Sequence, residues 1–356
     1  MIAEILVGCG IAYNLLAIAG ALRFRSRIVV PDYQPPVSIL KPVRGRDQQF
    51  FEAIRSHAVQ QYPVFELIFG AAPDDPARED IERLRREFPA LRIQLLDSTS
   101  DAPNGKVGSL EILAAAARYE VLLVNDSDIV VESDYLQRVV GLLGDPDVGL
   151  VTCLYRGRGA SLPSKAEALG IATEFTPSVL VARLVSSGGF ALGSTMAFRA
   201  TDLKAIGGFA AIREYLADDY QLGARIGRVA LSDVVVETNL GAGTWADVWK
   251  HQVRWSRTIR VSRTAGYFGY VVTQLTFWCL FANWRMALAG LAVRLLTASF
   301  YTEAKLLPFV PFRDLFGFAV WAAGMTGNTV EWRGIRFRLT RDGRMTACKP
   351  CSQPRS

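Results

Sequence analysis

The chain has 356 residues, half of them apolar and 21% charged, with a formal net charge of +6. That composition excludes a disordered or collagen-like chain, and a mean hydropathy of +0.19 is high for a plain soluble enzyme. With two histidines, His57 and His251, a histidine-based metal site is close to excluded, and five cysteines (Cys9, Cys153, Cys279, Cys348, Cys351) are too scattered for a disulfide framework.

Ile2 to Leu22 form an apolar run of about membrane-spanning length, broken only by Glu4 and followed at once by Arg23, Arg25 and Arg27. A cleaved signal peptide carries its positive charge before the apolar core, not after it. The run therefore reads as an uncleaved anchor, residues 1–24, with the body on the cytoplasmic side.

Charged residues concentrate between about 40 and 265, where short β-rich runs alternate with helical patterns. Val37 to Leu40, Glu66 to Phe69, Ile93 to Leu96 and Val121 to Val124 read as strands, and Gln49 to Val59, Ala77 to Glu87 and Ser109 to Arg118 as helices. Such repetition implies an α/β body with a mostly parallel sheet covered on both faces, and ligands in such sheets bind beyond the carboxyl ends of the strands.

Polar clusters stand where that rule asks for them. Asp74-Asp75-Pro76 follows the second strand, and Asn125-Asp126-Ser127-Asp128 follows the fourth. Two carboxylates one residue apart at a strand end are hard oxygen ligands suited to Mg²⁺ or Mn²⁺ carried in with a diphosphate, although aspartates in turns also serve as simple caps. Just upstream, Asn104-Gly105-Lys106 offers a turn and an ammonium for phosphates, or merely a surface turn. Gly188-Gly189-Phe190 and Gly193-Ser194-Thr195 precede Phe198-Arg199, and Asp218-Asp219 opens a helix expected over Tyr220 to Gly227. One carboxylate of that pair could cap the helix while the other faces the cleft as a general base. His251 to Arg257 includes Arg254-Trp255, a guanidinium beside an indole, able to hold a diphosphate and an apolar or sugar face, or to lie at a lipid surface. His57, on a helix, reads as a surface or packing residue.

Three further apolar segments follow: Tyr267 to Trp284, Met286 to Tyr301 and Leu315 to Val330. Arg285, Arg294, Arg313 and Asp314 would be costly at mid-bilayer, and Pro308 and Pro311 suggest a break or an interfacial stretch. The tail is basic, with Arg333, Arg336, Arg338, Arg341 and Arg344, and Cys348-Lys349-Pro350-Cys351 reads as incidental cysteines in a loose end.

Taken in order, Val37-Ser38-Ile39-Leu40-Lys41-Pro42, Asp74-Asp75-Pro76, Asn104 with Lys106, Asp126-Ser127-Asp128, Asp218-Asp219-Tyr220 and Arg254-Trp255 resemble the successive aspartate motifs and the R-W motif of membrane glycosyltransferases with the GT-A fold. The nearest likeness is to glycosyltransferase family 21, the ceramide glucosyltransferase branch, which includes bacterial hopanoid transferases. Trp332 to Leu339 is similar to a C-terminal stretch of that branch. Two departures stand out: His251 replaces the usual glutamine or arginine, and Asp-Asp replaces the commoner Glu-Asp.

The resemblance implies a GT-A-like nucleotide-sugar-binding domain with an N-terminal anchor and C-terminal membrane helices. Its expected divisions are residues 1–24, a cytoplasmic catalytic domain over 36–265, a membrane region over 266–331 and a basic cytoplasmic tail over 332–356. It further implies an inverting, metal-dependent transfer of one hexose from a UDP-sugar donor, UDP-glucose or UDP-N-acetylglucosamine, to a membrane lipid acceptor. Asp219 would be the base. Asp75, Asn104, Lys106, Asp126, Asp218, Arg254 and Trp255 would bind substrate, and Asp126 and Asp128 would hold the metal. The protein would be integral to the membrane, the inner membrane in a bacterium, with no nucleic-acid partner and an oligomeric state the sequence leaves open. A processive polysaccharide synthase would need more membrane helices, and an inactive sugar-nucleotide-binding relative fits poorly with the intact aspartate set.

Overall fold

The computed structural model describes residues 1–26, 29–186, 189–332 and 335–348. Arg27, Gly188, Arg333, Gly334 and the stretch from Lys349 through Cys351 lie outside the described residues. Helix α1 (Ile2–Phe24) leads into an alternating series: β1 (Val37–Pro42), α2 (Phe50–Ala58), β2 (Phe65–Ala71), α3 (Ala77–Glu87), β3 (Arg92–Asp97), α4 (Gly105–Ala116) and β4 (Val121–Val124). Next come β5 (Ile129–Val130), α5 (Tyr135–Val140), β6 (Leu150–Gly159), α6 (Leu162–Gly170), α7 (Thr176–Val185), β7 (Met196–Arg199), α8 (Ala200–Ala205), α9 (Asp218–Ile226) and β8 (Val229–Gly241). Helices α10 (Trp245–Ser262), α11 (Thr264–Gly269), α12 (Leu275–Cys279), α13 (Trp284–Ser299) and α14 (Val310–Gly324) precede β9 (Thr329–Trp332), β10 (Ile335–Leu339) and β11 (Met345–Ala347).

Eight strands form one sheet in the order β3-β2-β1-β4-β7-β6-β8-β5. β1, β2, β3 and β4 are mutually parallel, as are β6 and β8, while β7 runs antiparallel to β4 and β6. β1 and β4 are buried along their whole length, which is why they read as near-continuous apolar runs rather than alternating ones. One cluster packs Ile39, Leu67, Phe69, Leu84 and Leu123 on one face of the sheet, and another packs Leu40, Ile68, Leu110, Leu122 and Phe198 on the other.

This topology positions the loops. The register pairs Leu40 with Val124 and Pro42 with Gly70, so the residues after β1, β2 and β4 emerge along one edge. Because β7 is antiparallel to β4, with Val124 opposite Met196, the residues that precede β7 lie at that same edge. β6 starts level with the end of β7, Leu150 opposite Phe198, and runs on past Thr152, opposite Met196, to carry Tyr155 beyond it.

Among the described residues three helices are long and apolar enough to cross a membrane: Ile2–Phe24, Leu162–Val185 and Ala304–Gly324. The middle one departs from the sequence expectation, which placed it inside the catalytic body. Its acidic residues disguise it, but Glu167 pairs with His251 and Glu174 with Arg313. α7 packs directly on α1, where a methyl on Gly20 would stand 3.0 Å from Leu180 Cβ. Tyr267 to Trp284 is not one continuous helix: α11 ends at Gly269, a tight turn spans Tyr270–Thr273 before α12 begins at Leu275, and the Val271 carbonyl there accepts from Gln274 N–H at 3.4 Å and from Trp278 Nε1 at 2.8 Å. Two of the costly charges neutralise each other, since buried Arg294 pairs with nearly covered Asp314 at 2.6 Å, and Arg313 pairs with Glu174. Ahead of Cys348, β9, β10 and β11 form an antiparallel sheet with Val330, Phe337, Leu339 and Met345 buried beneath it.

Candidate active site

At the carboxyl edge of the sheet, Lys106 Nζ sits 2.8 Å from Asp126 Oδ1 and 3.0 Å from Asp218 Oδ2. Lys106 and Asp218 are nearly covered, with side chains 12% and 11% exposed, whereas Asp126 remains 43% exposed and open to the cleft. Burial by itself would lower the Lys106 pKa, but Asp126 and Asp218 reverse that and hold the ammonium above its ordinary range.

Asp218 and Asp219 are the first two residues of α9, where the helix dipole favours negative charge. The expected side-chain N-cap is absent. Instead Asp218 pairs with Lys106, while Asp219 Oδ2 accepts from Gly193 N–H at 2.9 Å and Oδ1 from Tyr220 N–H at 2.7 Å. Burial first, and the neighbouring Asp218 carboxylate second, push the Asp219 pKa up to about 6. Gly193 lies where these groups converge. A Cβ there would stand 3.3 Å from Asp126 Oδ2, 3.4 Å from Asp219 Oδ2 and 3.6 Å from Lys106 Nζ.

Asp128 shares the turn with Asp126 and accepts from Thr238 Oγ1, because Thr238 stands opposite Ile129 in the β5–β8 pairing. Burial and the Asp126 charge raise its pKa. Beneath the turn lies a buried set that sequence reasoning passed over. Lys41 Nζ donates to the Asp126 carbonyl at 3.3 Å and reaches the His57 ring, whose Nε2 is 3.1 Å from Asn125 Oδ1. Asn125 Nδ2 in turn donates to Tyr135 Oη at 2.9 Å and to the Ser194 carbonyl at 2.8 Å. Burial lowers the Lys41 ammonium to about 7, with Asp128 and Asp126 opposing it, and burial followed by Lys41 keeps His57 well below its usual value. His57 is therefore a fully buried, bonded residue rather than a surface one. A lysine ending an apolar strand was the available signal.

Asn104 is fully buried. Its Oδ1 caps α4 by accepting from Lys106 N–H at 3.1 Å, and its Nδ2 donates to the Tyr215 carbonyl at 2.8 Å, so it positions Lys106 where sequence reasoning expected a phosphate contact. Asp75 stands at the same edge after β2, its oxygens accepting from Gly45 N–H at 2.7 Å and Ala77 N–H at 2.9 Å. Arg254 and Trp255 lie on α10, and Trp255 joins an aromatic group with Tyr155, Phe175 and His251. His251 Nδ1 is 2.8 Å from Glu167 Oε1, so the residue that departs from the motif braces the tryptophan. Burial, then the Asp219 and Asp126 carboxylates, hold the Tyr155 hydroxyl well above its ordinary pKa.

Among the described residues no three His, Cys, Asp or Glu side chains gather into a complete cation cage. The donor chemistry nonetheless fits a hard divalent ion. Asp126 and Asp128 supply carboxylate oxygens alone, and a two-carboxylate set leaves the remaining positions to phosphate oxygens and water, the usual arrangement for Mg²⁺.

Residues 3–345 match glycosyl transferase family 21. Ceramide glucosyltransferase 1 of Caenorhabditis elegans is 24% identical, across 88% of this chain and 74% of its own length. The ceramide glucosyltransferase of Komagataella phaffii is 30% identical across 37% of this chain and 27% of its own. Among solved structures, the mannosyltransferase PcManGT from Pyrobaculum calidifontis, in complex with GDP-Man and Mn²⁺, superposes with a TM-score of 0.57 at 20% identity, covering 90% of this chain and 97% of that one. That likeness is one of fold.

Proposed function

The chain belongs to glycosyl transferase family 21, and on that premise we propose that it is a membrane-bound, inverting hexosyltransferase that moves one sugar from a UDP-sugar, UDP-glucose or UDP-N-acetylglucosamine, to the hydroxyl of a lipid in the bilayer. The observation that carries the proposal is the convergence of Asp126, Lys106 and Asp219 on Gly193, at the edge of the sheet where ligands of open α/β folds bind.

In this reading Asp219 takes the proton from the lipid hydroxyl as its oxygen bonds to the anomeric carbon, while the bond from that carbon to the diphosphate oxygen breaks. One carboxylate base suffices, since a nucleoside diphosphate leaves without the second, protonating acid that a glycosidase needs. A pKa of about 6 keeps Asp219 ionised at neutral pH yet basic enough to accept a proton. Lys106 stays cationic and holds Asp126 and Asp218 in register beside the phosphates. Asp126 and Asp128 would hold Mg²⁺ or Mn²⁺, which when bound supplies charge neutralisation to the diphosphate. Asp75, at the same sheet edge after β2, would contact the nucleoside half of the donor, and Trp255 with Tyr155 and Phe175 would wall the passage from the cleft toward the membrane helices.

The lipid acceptor, of ceramide or hopanoid type, is supported by the ceramide glucosyltransferases that the chain resembles and by the membrane-length helices packed beside the catalytic body. Residues 1–24 would anchor the chain, 36–265 would form the catalytic domain with the α6–α7 helix as an added membrane contact, and 266–331 would complete the membrane region. Arg23 in the last turn of α1 and Arg25 directly after it favour a catalytic body on the cytoplasmic side. Mass spectrometry of lipids from cells with and without the protein tests this reading. A hexosylated lipid that disappears with the gene supports it, and an unchanged lipid profile contradicts it.

A further inference from the structure

The segment that leads into Asp218 and Asp219 is bonded on both of its sides. On one side, Asn104 N–H donates to the Arg213 carbonyl at 3.0 Å and Asn104 Nδ2 to the Tyr215 carbonyl at 2.8 Å, so the cap of the helix carrying Lys106 grips this strip. On the other side lies the C-terminal sheet. Met345 N–H donates to the Glu214 carbonyl at 2.7 Å, Leu216 N–H to the Gly343 carbonyl at 3.4 Å, and Tyr215 and Arg344 form an antiparallel bridge.

Side chains reinforce the backbone contacts. Arg344 pairs with Glu214 at 2.9 Å, and its guanidinium stands 5.6 Å from the centre of the Tyr215 ring. Arg225, from α9 itself, also stands 5.6 Å from that ring. Leu216 packs against the small core of the tail sheet together with Val261 of α10. The same α10, which carries Arg254 and Trp255, holds the approach to β9 through Arg257, whose Nη1 donates to the Thr329 carbonyl at 2.6 Å, and through Arg260, whose Nη1 donates to the Met325 carbonyl at 3.0 Å.

We propose that the C-terminal sheet of β9, β10 and β11 is a strap that sets Asp218 and Asp219 against Lys106 and fixes the Trp255 helix to the same frame, with Met345 N–H and Arg344 as its attachment points. The sheet touches no reacting atom; it positions. The proposal rests on reading the acidic cluster as a glycosyl-transfer site. A displacement of about 1 Å at a reacting group can cost about a hundredfold in rate, so a strap bonded to Leu216, three residues before the base, carries leverage out of proportion to its size.

The test uses the full-length protein in lipid nanodiscs and three variants. Met345→Pro removes the N–H that bonds Glu214, Arg344→Ala removes the ion pair and the ring contact while sparing the backbone, and Arg336→Ala changes an exposed arginine on the far part of the sheet. Two readouts are taken on each: hydrogen exchange over residues 213–219, and transfer kinetics normalised to folded protein. Faster exchange in that segment for Met345→Pro and Arg344→Ala, a fall in kcat of about tenfold or more with the KM for the donor within twofold, and wild-type behaviour of Arg336→Ala are the expected results. Unchanged exchange over 213–219, or unchanged kcat per folded molecule, overturns the strap. If the wild-type protein transfers no sugar while exchange responds as expected, the functional reading fails and the mechanical coupling stands.

Discussion

The backbone N–H of Gly193 donates to Asp219 Oδ2 across 2.9 Å. This bond joins the loop before β7 to the start of α9 and holds one carboxylate oxygen of the proposed base in a fixed direction. The glycine is required by space, because any side chain would enter the volume shared by Asp126, Asp219 and Lys106.

Gly193→Ala should therefore keep the fold and lose function. The added methyl meets Asp126 Oδ2 at 3.3 Å, so that oxygen must give by a few tenths of an ångström, and it comes into contact with Asp219 Oδ2 at 3.4 Å. Transfer kinetics should show kcat reduced about tenfold or more, while the midpoint of thermal unfolding in detergent moves by less than about 4 °C, the shift expected of about 1 kcal/mol or less.

Replacing Asp219 with Asn removes the base but preserves shape. The rate should fall by about 10²- to 10⁴-fold, the usual range for a general base, while UDP binding, followed by calorimetry, stays near wild type. The pH dependence has a definite sign. Asp219 works only when deprotonated, so the wild-type rate should climb as pH rises through about 6 and level off above it, and the residual rate of the Asn variant should lack that limb.

Lys106 tests the electrostatics. Lys106→Met leaves Asp126 and Asp218 without their shared cation. Removing one partner of a covered ion pair costs about 3–5 kcal/mol when fully buried, and the 43% exposure of Asp126 argues for the lower end. The loss should be larger at pH 7.5 than at pH 5, because the neighbouring Asp219 carboxyl, pushed up to about 6 by burial and by Asp218, takes a proton at the lower pH and lessens the uncompensated charge. Denaturation in detergent at the two pH values measures this, and equal losses would show that the ammonium does not balance these carboxylates.

A second covered pair, Arg294 with Asp314, joins α13 to α14 and takes a further bond from Arg294 Nη2 to the Thr173 carbonyl at 3.1 Å. Asp314→Leu and Arg294→Met should each destabilise strongly, and the double variant should be less destabilised than the sum of the two, since no lone charge remains. Thermal melts of the four proteins give the coupling energy.

Much of the catalytic half was legible in the residues themselves. β1, β2 and β4 announce themselves because they are buried almost throughout, β3 as a short apolar run at the sheet edge, and α3 because its apolar stripe and acidic first turn bound it. The Asp126-Ser127-Asp128 turn was recognisable from its place after an apolar strand. Other features depend on tertiary partners that local pattern does not carry. Lys41 and His57 find each other only when β1 packs beside α2, and Gly193 reaches Asp219 only because β7 runs antiparallel to β4. The Leu162–Val185 helix was obscured by acidic residues whose counterparts, His251 and Arg313, lie roughly 85 and 140 residues further along the chain. The tail's basic residues concealed a strand alternation in which Phe337 and Leu339 turn inward between exposed arginines.

The most direct measurement is transfer itself. Nanodisc-embedded wild-type protein and its Asp219→Asn variant are incubated with radiolabelled UDP-glucose or UDP-N-acetylglucosamine, Mn²⁺ or Mg²⁺, and a total lipid extract, and label is counted in the organic phase. A single-hexose lipid formed by the wild type, lost on chelation and reduced at least a hundredfold in the variant is the predicted result. No organic-phase product with either donor, or equal product from the variant, would contradict the account.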